Sequence, residues 1–371
     1  MTDTTTRGTD RPPVPAAKVL IGDEERAAVD RVLRSGMIAQ GPEVAAFEQE
    51  FAAELVDGRT CVAVNSGTSG QHLGLLAAGV GPGQEVIVPS FTFAATANSV
   101  ALTGATPVFA DIDPATFNLD PEAVEAAVTE RTVGVMPVHL YGHPADMTGL
   151  GAVADKHGIK IFEDAAQAHA ANWQGRPVGT FGTFAMFSLY PTKNMTSGEG
   201  GMVSCATEEV TRMVKLLRNQ GMERRYENEV VGFNCRMTDV HAAIGRVQLS
   251  KLAGWTKQRQ ENAAYLDRHL AGVVVPPVAE GATHVYHQYT IRVPQDRDGF
   301  ADALRDEHGI ASGVYYPIPN HRLPSFGLTL DLPETERAAR EVLSLPVHPS
   351  LSQEDLDRVV EAVNTVARAG A

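Results

Sequence analysis

The residue with the most chemical promise in this chain is Lys193, in the run Ser188-Leu-Tyr-Pro-Thr-Lys193-Asn-Met-Thr-Ser-Gly-Glu-Gly-Gly201. An apolar, aromatic stretch, 181–190, precedes it and reads as a buried strand. A glycine-rich turn, 198–201, follows and lets the backbone pass close to something bulky. A lysine pinned between the two has little freedom to reach water. Burial then disfavours the ammonium and frees the amine for imine chemistry. On an ordinary loop the same lysine would be a surface residue, and three further segments decide the weight it deserves.

The first is Val62-Ala-Val-Asn-Ser-Gly67-Thr68-Ser69-Gly-Gln71, where a β-branched strand runs through small residues into an apolar helix. Such a junction offers N–H groups and hydroxyls to an anion, with the helix dipole assisting. It lacks the lysine of a P-loop and the G-x-G-x-x-G spacing. A plain N-cap by Ser66 or Thr68 accounts for the segment about equally well. The second is Ile159-Lys-Ile-Phe-Glu-Asp164-Ala-Ala-Gln167, a strand that ends on a carboxylate at the edge where open α/β sheets seat ligands. A buried Asp needs a cation, and a protonated pyridine nitrogen would serve; helix capping is the alternative. The third is Pro89-Ser-Phe91-Thr-Phe93-Ala-Ala-Thr96, where aromatic rings enter a turn and either ring can be core or clamp a flat heterocycle.

Several elements must position these groups. Amphipathic helices are expected over 23–34 and 43–55, the second with Val44, Phe47, Phe51 and Leu55 on one face. Strands are expected at 61–64, 85–89, 107–110, 133–138, 159–163, 184–188 and 202–205. Helices at 71–78, 94–102, 121–128 and 145–157 alternate with them. That rhythm predicts an α/β fold with a mostly parallel seven-stranded sheet covered by helices on both faces. Helices follow at 207–218, 238–249 and 252–270. After Pro276-Pro277, a strand at 286–293, a helix at 300–308, a strand at 312–315 and a last helix from Leu356 with a Ser352/Asp355 capping box suggest a smaller α+β domain. The expected division is a disordered arm at 1–16, a large domain at 17–250 and a small one at 251–371.

With 371 residues and 43% apolar content the chain can bury a large core. It carries 31 basic and 45 acidic residues, a net charge of −14, which disfavours nonspecific binding to nucleic acid and to anionic membranes. No apolar run is long enough to span a bilayer, and the first residues lack the apolar core of a signal peptide. Cys61, Cys205 and Cys235 have no C-x-x-C spacing, so a reduced, cytoplasmic protein without a zinc site is expected. His139 and His143 are separated by Gly142 and followed by Pro144, which breaks any helix that would align them on a metal.

In this order the segments resemble the DegT/DnrJ/EryC1/StrS aminotransferases, sugar aminotransferases of pyridoxal-phosphate fold type I. The resemblance rests on Ser35-Gly-Met-Ile-Ala-Gln-Gly-Pro-Glu-Val44, Asn65-Ser-Gly-Thr-Ser69, Pro89 to Thr96 and Glu163-Asp-Ala-Ala-Gln-Ala168. It continues through Tyr190-Pro-Thr-Lys-Asn194, Gly232-Phe-Asn-Cys-Arg-Met237 and Val314-Tyr-Tyr-Pro-Ile-Pro-Asn-His321. It implies pyridoxal 5′-phosphate, with pyridoxamine 5′-phosphate as its aminated form, held by Lys193 as a Schiff base. Asp164 would keep the ring nitrogen protonated, Gln167 would bond the 3′-oxygen, and Phe93 rather than Phe91 would stack on the ring. The phosphate would take Gly67, Thr68, Ser69 and Ser188. Asn234 matches an asparagine that reaches the phosphate from a neighbouring subunit, which implies a homodimer with shared sites. His321, Tyr316 and Arg236 fall where the substrate is met; Lys215 and Arg218 are further candidates for a nucleotide diphosphate.

The activity so implied is transfer of an amino group from glutamate or glutamine to a keto-sugar, above all a nucleotide-linked 3- or 4-keto-deoxyhexose. A free keto-cyclitol and a regulatory paralogue without turnover are the rivals. A dehydratase of this group would carry histidine at position 193. Met195-Thr-Ser after Asn194, and Asn320-His-Arg-Leu where His-x-Gln is frequent, depart from the common pattern and leave the sugar open.

Overall fold

The computed structural model describes residues 11–370. Its centre is a seven-stranded sheet in the order Cys61–Val64, Gly201–Cys205, Phe184–Ser188, Lys160–Asp164, Thr132–Val135, Glu85–Pro89, Thr106–Ala110. Gly201–Cys205 runs antiparallel to both neighbours, and every other pairing is parallel. Strands 61–64, 85–89, 184–188 and 201–205 are buried at every position. This is the signature of a sheet covered on both faces, where strands read as continuous apolar runs rather than alternating ones. One core packs Phe47, Phe51 and Leu249 against Phe187 and Met202; the other packs Leu73, Val86 and Val100 against Phe162 and Phe184.

The helix Gly67–Ala77 is set down on the strand Phe184–Ser188 by three glycines of one face. A Cβ at Gly67 would meet Ser188 Cβ at 3.1 Å, one at Gly70 would meet Met186 Cγ at 2.9 Å, and one at Gly74 would meet the Phe184 ring at 2.5 Å. Spacings of three and four put all three on the same helix face, so backbone rests directly on side chains of the strand. This approach places the first turn of the helix beside Ser188.

The expected helices at 238–249 and 252–270 are one 31-residue helix, Asp239–His269. Ser250 and Lys251 between them contain neither a proline nor a glycine to interrupt it. Leu249 and Leu252 of this helix belong to the core around the sheet, whereas Ala263 and Leu266 belong to a separate C-terminal core with Tyr289, Ile291, Leu304 and Val359. There Tyr289–Arg292 pairs antiparallel with Val342–Leu345, a strand the sequence pattern did not reveal. The strand expected at 312–315 reduces to one bridge, Gly313 with Ser344, because the chain turns at once into the Pro317 and Pro319 segment. The last helix starts at Gln353, not Leu356, since Ser352 caps it through the Asp355 amide at 3.1 Å.

The arm expected to be disordered covers 1–16, of which 1–10 lie outside the described residues. Over 11–16 the chain is held instead. Val14 is buried and brackets Ile310, its N–H bonded to Gly309 O and its C=O to Ala311 N, both at 2.9 Å. Among the described residues no helix is long and apolar enough to cross a membrane.

Candidate active site

Four of the singled-out groups gather at the C-terminal ends of the central strands. Asp164 is the last residue of its strand and is buried. Its Oδ2 accepts from Thr96 Oγ1 at 2.7 Å and its Oδ1 from the Ala166 amide at 3.1 Å. Burial pushes the carboxyl above the usual range, opposed by those bonds, by Lys193 and by the Gln71 side chain. Lys193 stays partly accessible, but protein atoms crowd its amine and push the pKa from 10.5 down to about 8, with the Asp164 carboxylate opposing. An amine that is accessible, near neutrality and close to a carboxylate is suited to capture a carbonyl and to move a proton.

Gln167 is buried one turn beyond Asp164. Its Oε1 accepts from the Tyr141 amide at 2.7 Å, and its Nε2 donates to the Tyr316 hydroxyl at 3.1 Å. Tyr316 lies between the two candidate rings: its ring is 6.1 Å from Phe93 and 6.3 Å from Phe91. The two phenylalanines differ sharply. Phe91 is 0% exposed and packs on Phe117, whereas Phe93 is 60% exposed with an uncovered face. Phe91 is core by this measure, and Phe93 is the ring free to cover a flat ligand.

Ser66 caps the helix Gly67–Ala77, accepting from the Ser69 amide at 3.1 Å, and its hydroxyl lies 2.9 Å from that of Ser69. The cap and the anion site therefore coexist but divide the donors. The Ser69 amide serves the cap, while the Gly67 and Thr68 amides are first-turn donors that no helical carbonyl can satisfy. With the nearby Ser188 hydroxyl they form a small, neutral cradle of donors, the chemistry a phosphate dianion requires at a helix N-terminus. The donor set, the buried carboxylate and the exposed ring together fit a phosphorylated pyridine aldehyde.

The remaining candidates lie further off. Asn234 is exposed, in a segment that runs along the edge strand: Arg236 bridges Val64, and Cys235 O accepts from the Asn65 amide at 3.0 Å. Arg236 Nη1 donates to Asn219 Oδ1 at 2.9 Å. Arg218 is buried and spans Glu48 at 2.6 Å and Ala63 O at 2.7 Å, a structural brace. His321 is fully buried. Its Nδ1 is 2.7 Å from Ser90 Oγ and its Nε2 3.2 Å from Glu336 Oε1; burial lowers its pKa, so the ring is neutral.

Sequence reasoning did not single out Thr96, Gln71, His169 or His287. His169 is buried with both ring nitrogens unpartnered, and burial beside Lys193 pushes its pKa down to about 3. His287, held 3.3 Å from Asn194 Oδ1, is likewise kept neutral by burial and by Lys193. Thr96 and Gln71 do lie within the quoted motifs or next to them, and that proximity was the available signal.

The chain is 44% identical, over 90% of its length and 92% of the relative's, to a protein of Geobacillus stearothermophilus named pleiotropic regulatory protein. It is 42% identical, over 92% of its length and 91% of the relative's, to the dTDP-3-amino-3,4,6-trideoxy-alpha-D-glucose transaminase of Streptomyces venezuelae. Its fold matches that of S. venezuelae DesV, solved in complex with a ketimine intermediate. The TM-score is 0.92 at 41% identity, covering 96% of this chain and 99% of that one. Since residues 19–364 match the family pattern as well, the chain belongs to the DegT/DnrJ/EryC1/StrS aminotransferase family.

Proposed function

We propose that the protein is a pyridoxal-phosphate-dependent aminotransferase that moves an amino group from glutamate or glutamine to a nucleotide-linked 3- or 4-keto-deoxyhexose. The observation that carries this reading is the pairing of Lys193, its pKa pushed down to about 8, with the buried Asp164. Bound pyridoxal 5′-phosphate supplies an aldehyde that carries the amino group and a ring that takes up the electron pair left by deprotonation. With the cofactor bound, Lys193 Nζ would hold its aldehyde and, when free, would move a proton to and from the amino-bearing carbon. Asp164 would keep a proton on the ring nitrogen, and Gln167 would orient the neighbouring oxygen. The Gly67 and Thr68 amides and the Thr68, Ser69 and Ser188 hydroxyls anchor the phosphate. Tyr316, bonded to Gln167, would border the substrate side, while Arg236 against Asn219 and His321 against Ser90 stand further back.

The test is a screen with the enzyme loaded with pyridoxamine 5′-phosphate. A nucleotide-linked keto-sugar should restore the visible absorbance of the aldehyde form, and free keto-cyclitols should not. A response to a cyclitol alone moves the acceptor to that class. A spectrum that no ketone or amino donor alters points to a regulatory protein, a reading kept in view by the name of the Geobacillus relative.

The same reading makes the enzyme a homodimer in which Asn234 donates to the phosphate of the neighbouring site. Its support is the exposed position of Asn234 next to the edge strand that leads into the cradle. A neutral amide suits a partly buried seam, since it donates without needing a counter-charge. Inactive Lys193→Ala mixed with Asn234→Asp, whose carboxylate repels phosphate, should regain activity on subunit exchange, because each heterodimer holds one site with both residues intact. Activity that never exceeds that of the separate variants, despite proven exchange, assigns Asn234 to its own chain.

A further inference from the structure

We infer that Thr96 is a positioning residue for Asp164, holding its buried carboxylate ionised and in one rotamer while Lys193 gains and loses its charge. The inference rests on the reading of the site given above. Asp164 is 4% exposed, and an isolated carboxylate so buried would sooner take up a proton than stay charged. Two groups with charge of their own face it: Lys193, on the turn after strand 184–188, and the Tyr316 hydroxyl, on the loop after residue 314. Tyr316 is kept neutral by burial, which pushes its hydroxyl up. Lys193 cannot be a constant counter-charge, because a proton-transferring amine spends part of each cycle neutral. In the apoprotein, before a cofactor brings its protonated ring nitrogen to Asp164, what remains constant is hydrogen bonding from neutral donors.

The direction of those bonds follows from valence. An ionised carboxylate only accepts, so Thr96 Oγ1 must donate at its 2.7 Å contact. Thr96 has one hydroxyl proton, so in the 3.4 Å contact between Thr92 and Thr96 the donor is Thr92. The short relay therefore runs from Thr92 through Thr96 to Asp164. The Gln71 side chain is a lesser neighbour that also favours the ionised carboxyl. Thr96 stands in the first turn of helix 95–102, which packs on helix 67–77, so the carboxylate is held from an element besides its own strand.

The decisive measurement uses the apoprotein. The carboxyl stretch that disappears in Asp164→Asn identifies this group in infrared difference spectra, and its titration gives the protonation midpoint. Thr96→Val keeps the shape and removes the donor. It should raise the midpoint by about one to two pH units, roughly a ten- to hundredfold weaker acid. Thr96→Ser should restore it, and Gln71→Leu should raise it by less. In the cofactor-loaded enzyme, the pH midpoint of the visible band should move in Thr96→Val and recover in Thr96→Ser, with kcat affected more than KM. A folded Thr96→Val whose apoprotein midpoint equals that of the parent overturns the inference. Should that variant not fold, Thr96→Ala is read the same way. If the midpoint moves as expected but no keto-sugar is aminated, the proposed reaction fails and the role of Thr96 stands.

Discussion

Lys193→Ala should lose transamination by on the order of 10⁴-fold or more, because one side chain both captures the aldehyde and transfers the proton. Borohydride treatment of the loaded parent enzyme should fix the cofactor's mass on the peptide that contains Lys193 and on no other. A label elsewhere, or an active Lys193→Ala, removes the assignment. The variant should still bind cofactor through the phosphate cradle, because Gly67, Thr68 and Ser188 are positioned by backbone packing that the lysine does not support. The pKa adds a second signature. The ammonium is not a nucleophile, so capture needs the neutral amine, and a group titrating at about 8 instead of 10.5 has roughly 300-fold more of it at pH 7. The rate at which apoprotein captures the aldehyde should climb with pH through about 8 and level off above it. A rate still rising at pH 10 would mean an ordinary exposed lysine.

Asp164→Asn should leave the fold intact and lower turnover by about 10²–10⁴-fold, the scale of losing one charge-assisted stabilisation of developing negative charge. The amide keeps the shape and can still accept from the Ala166 amide, so circular dichroism and the melting transition should stay close to those of the parent. The variant also probes the coupling to Lys193. The Asp164 carboxylate favours the ammonium, opposing the burial that disfavours it. Without that charge the capture midpoint should move below about 8, not above it. Near-normal turnover in Asp164→Asn would show that another group holds the ring proton. An unchanged midpoint would show that the two side chains are not in electrostatic contact.

Much of the sheet was legible because a doubly covered parallel strand leaves a blunt pattern. Cys61–Val64, Glu85–Pro89 and Phe184–Ser188 are short apolar runs bounded by turn residues, and their limits match the expected ones. Legibility fell in the C-terminal part, where pairing partners are distant in sequence. The bridge of Gly313 to Ser344 and the docking of Val14 on Ile310 depend on neighbours 31 and 296 residues away, which no local periodicity reports. The long helix was divided in the sequence reading because its apolar pattern changes partners midway, from one core to another, while its backbone continues.

By itself the sequence determined the residue types and their order along the chain: a lysine between a buried strand and a glycine turn, a carboxylate at a strand end, small residues opening a helix, and the family to which that order belongs. Tertiary structure decided which of two phenylalanines is free, that the Ser69 amide serves a helix cap, and that His321 is enclosed against Ser90. It also supplied the hydrogen bond from Thr96 to Asp164. The reason is physical. Chemical type is a property of one residue, but exposure, hydrogen-bond assignment and pKa are set by whichever neighbours the fold brings within a few ångströms.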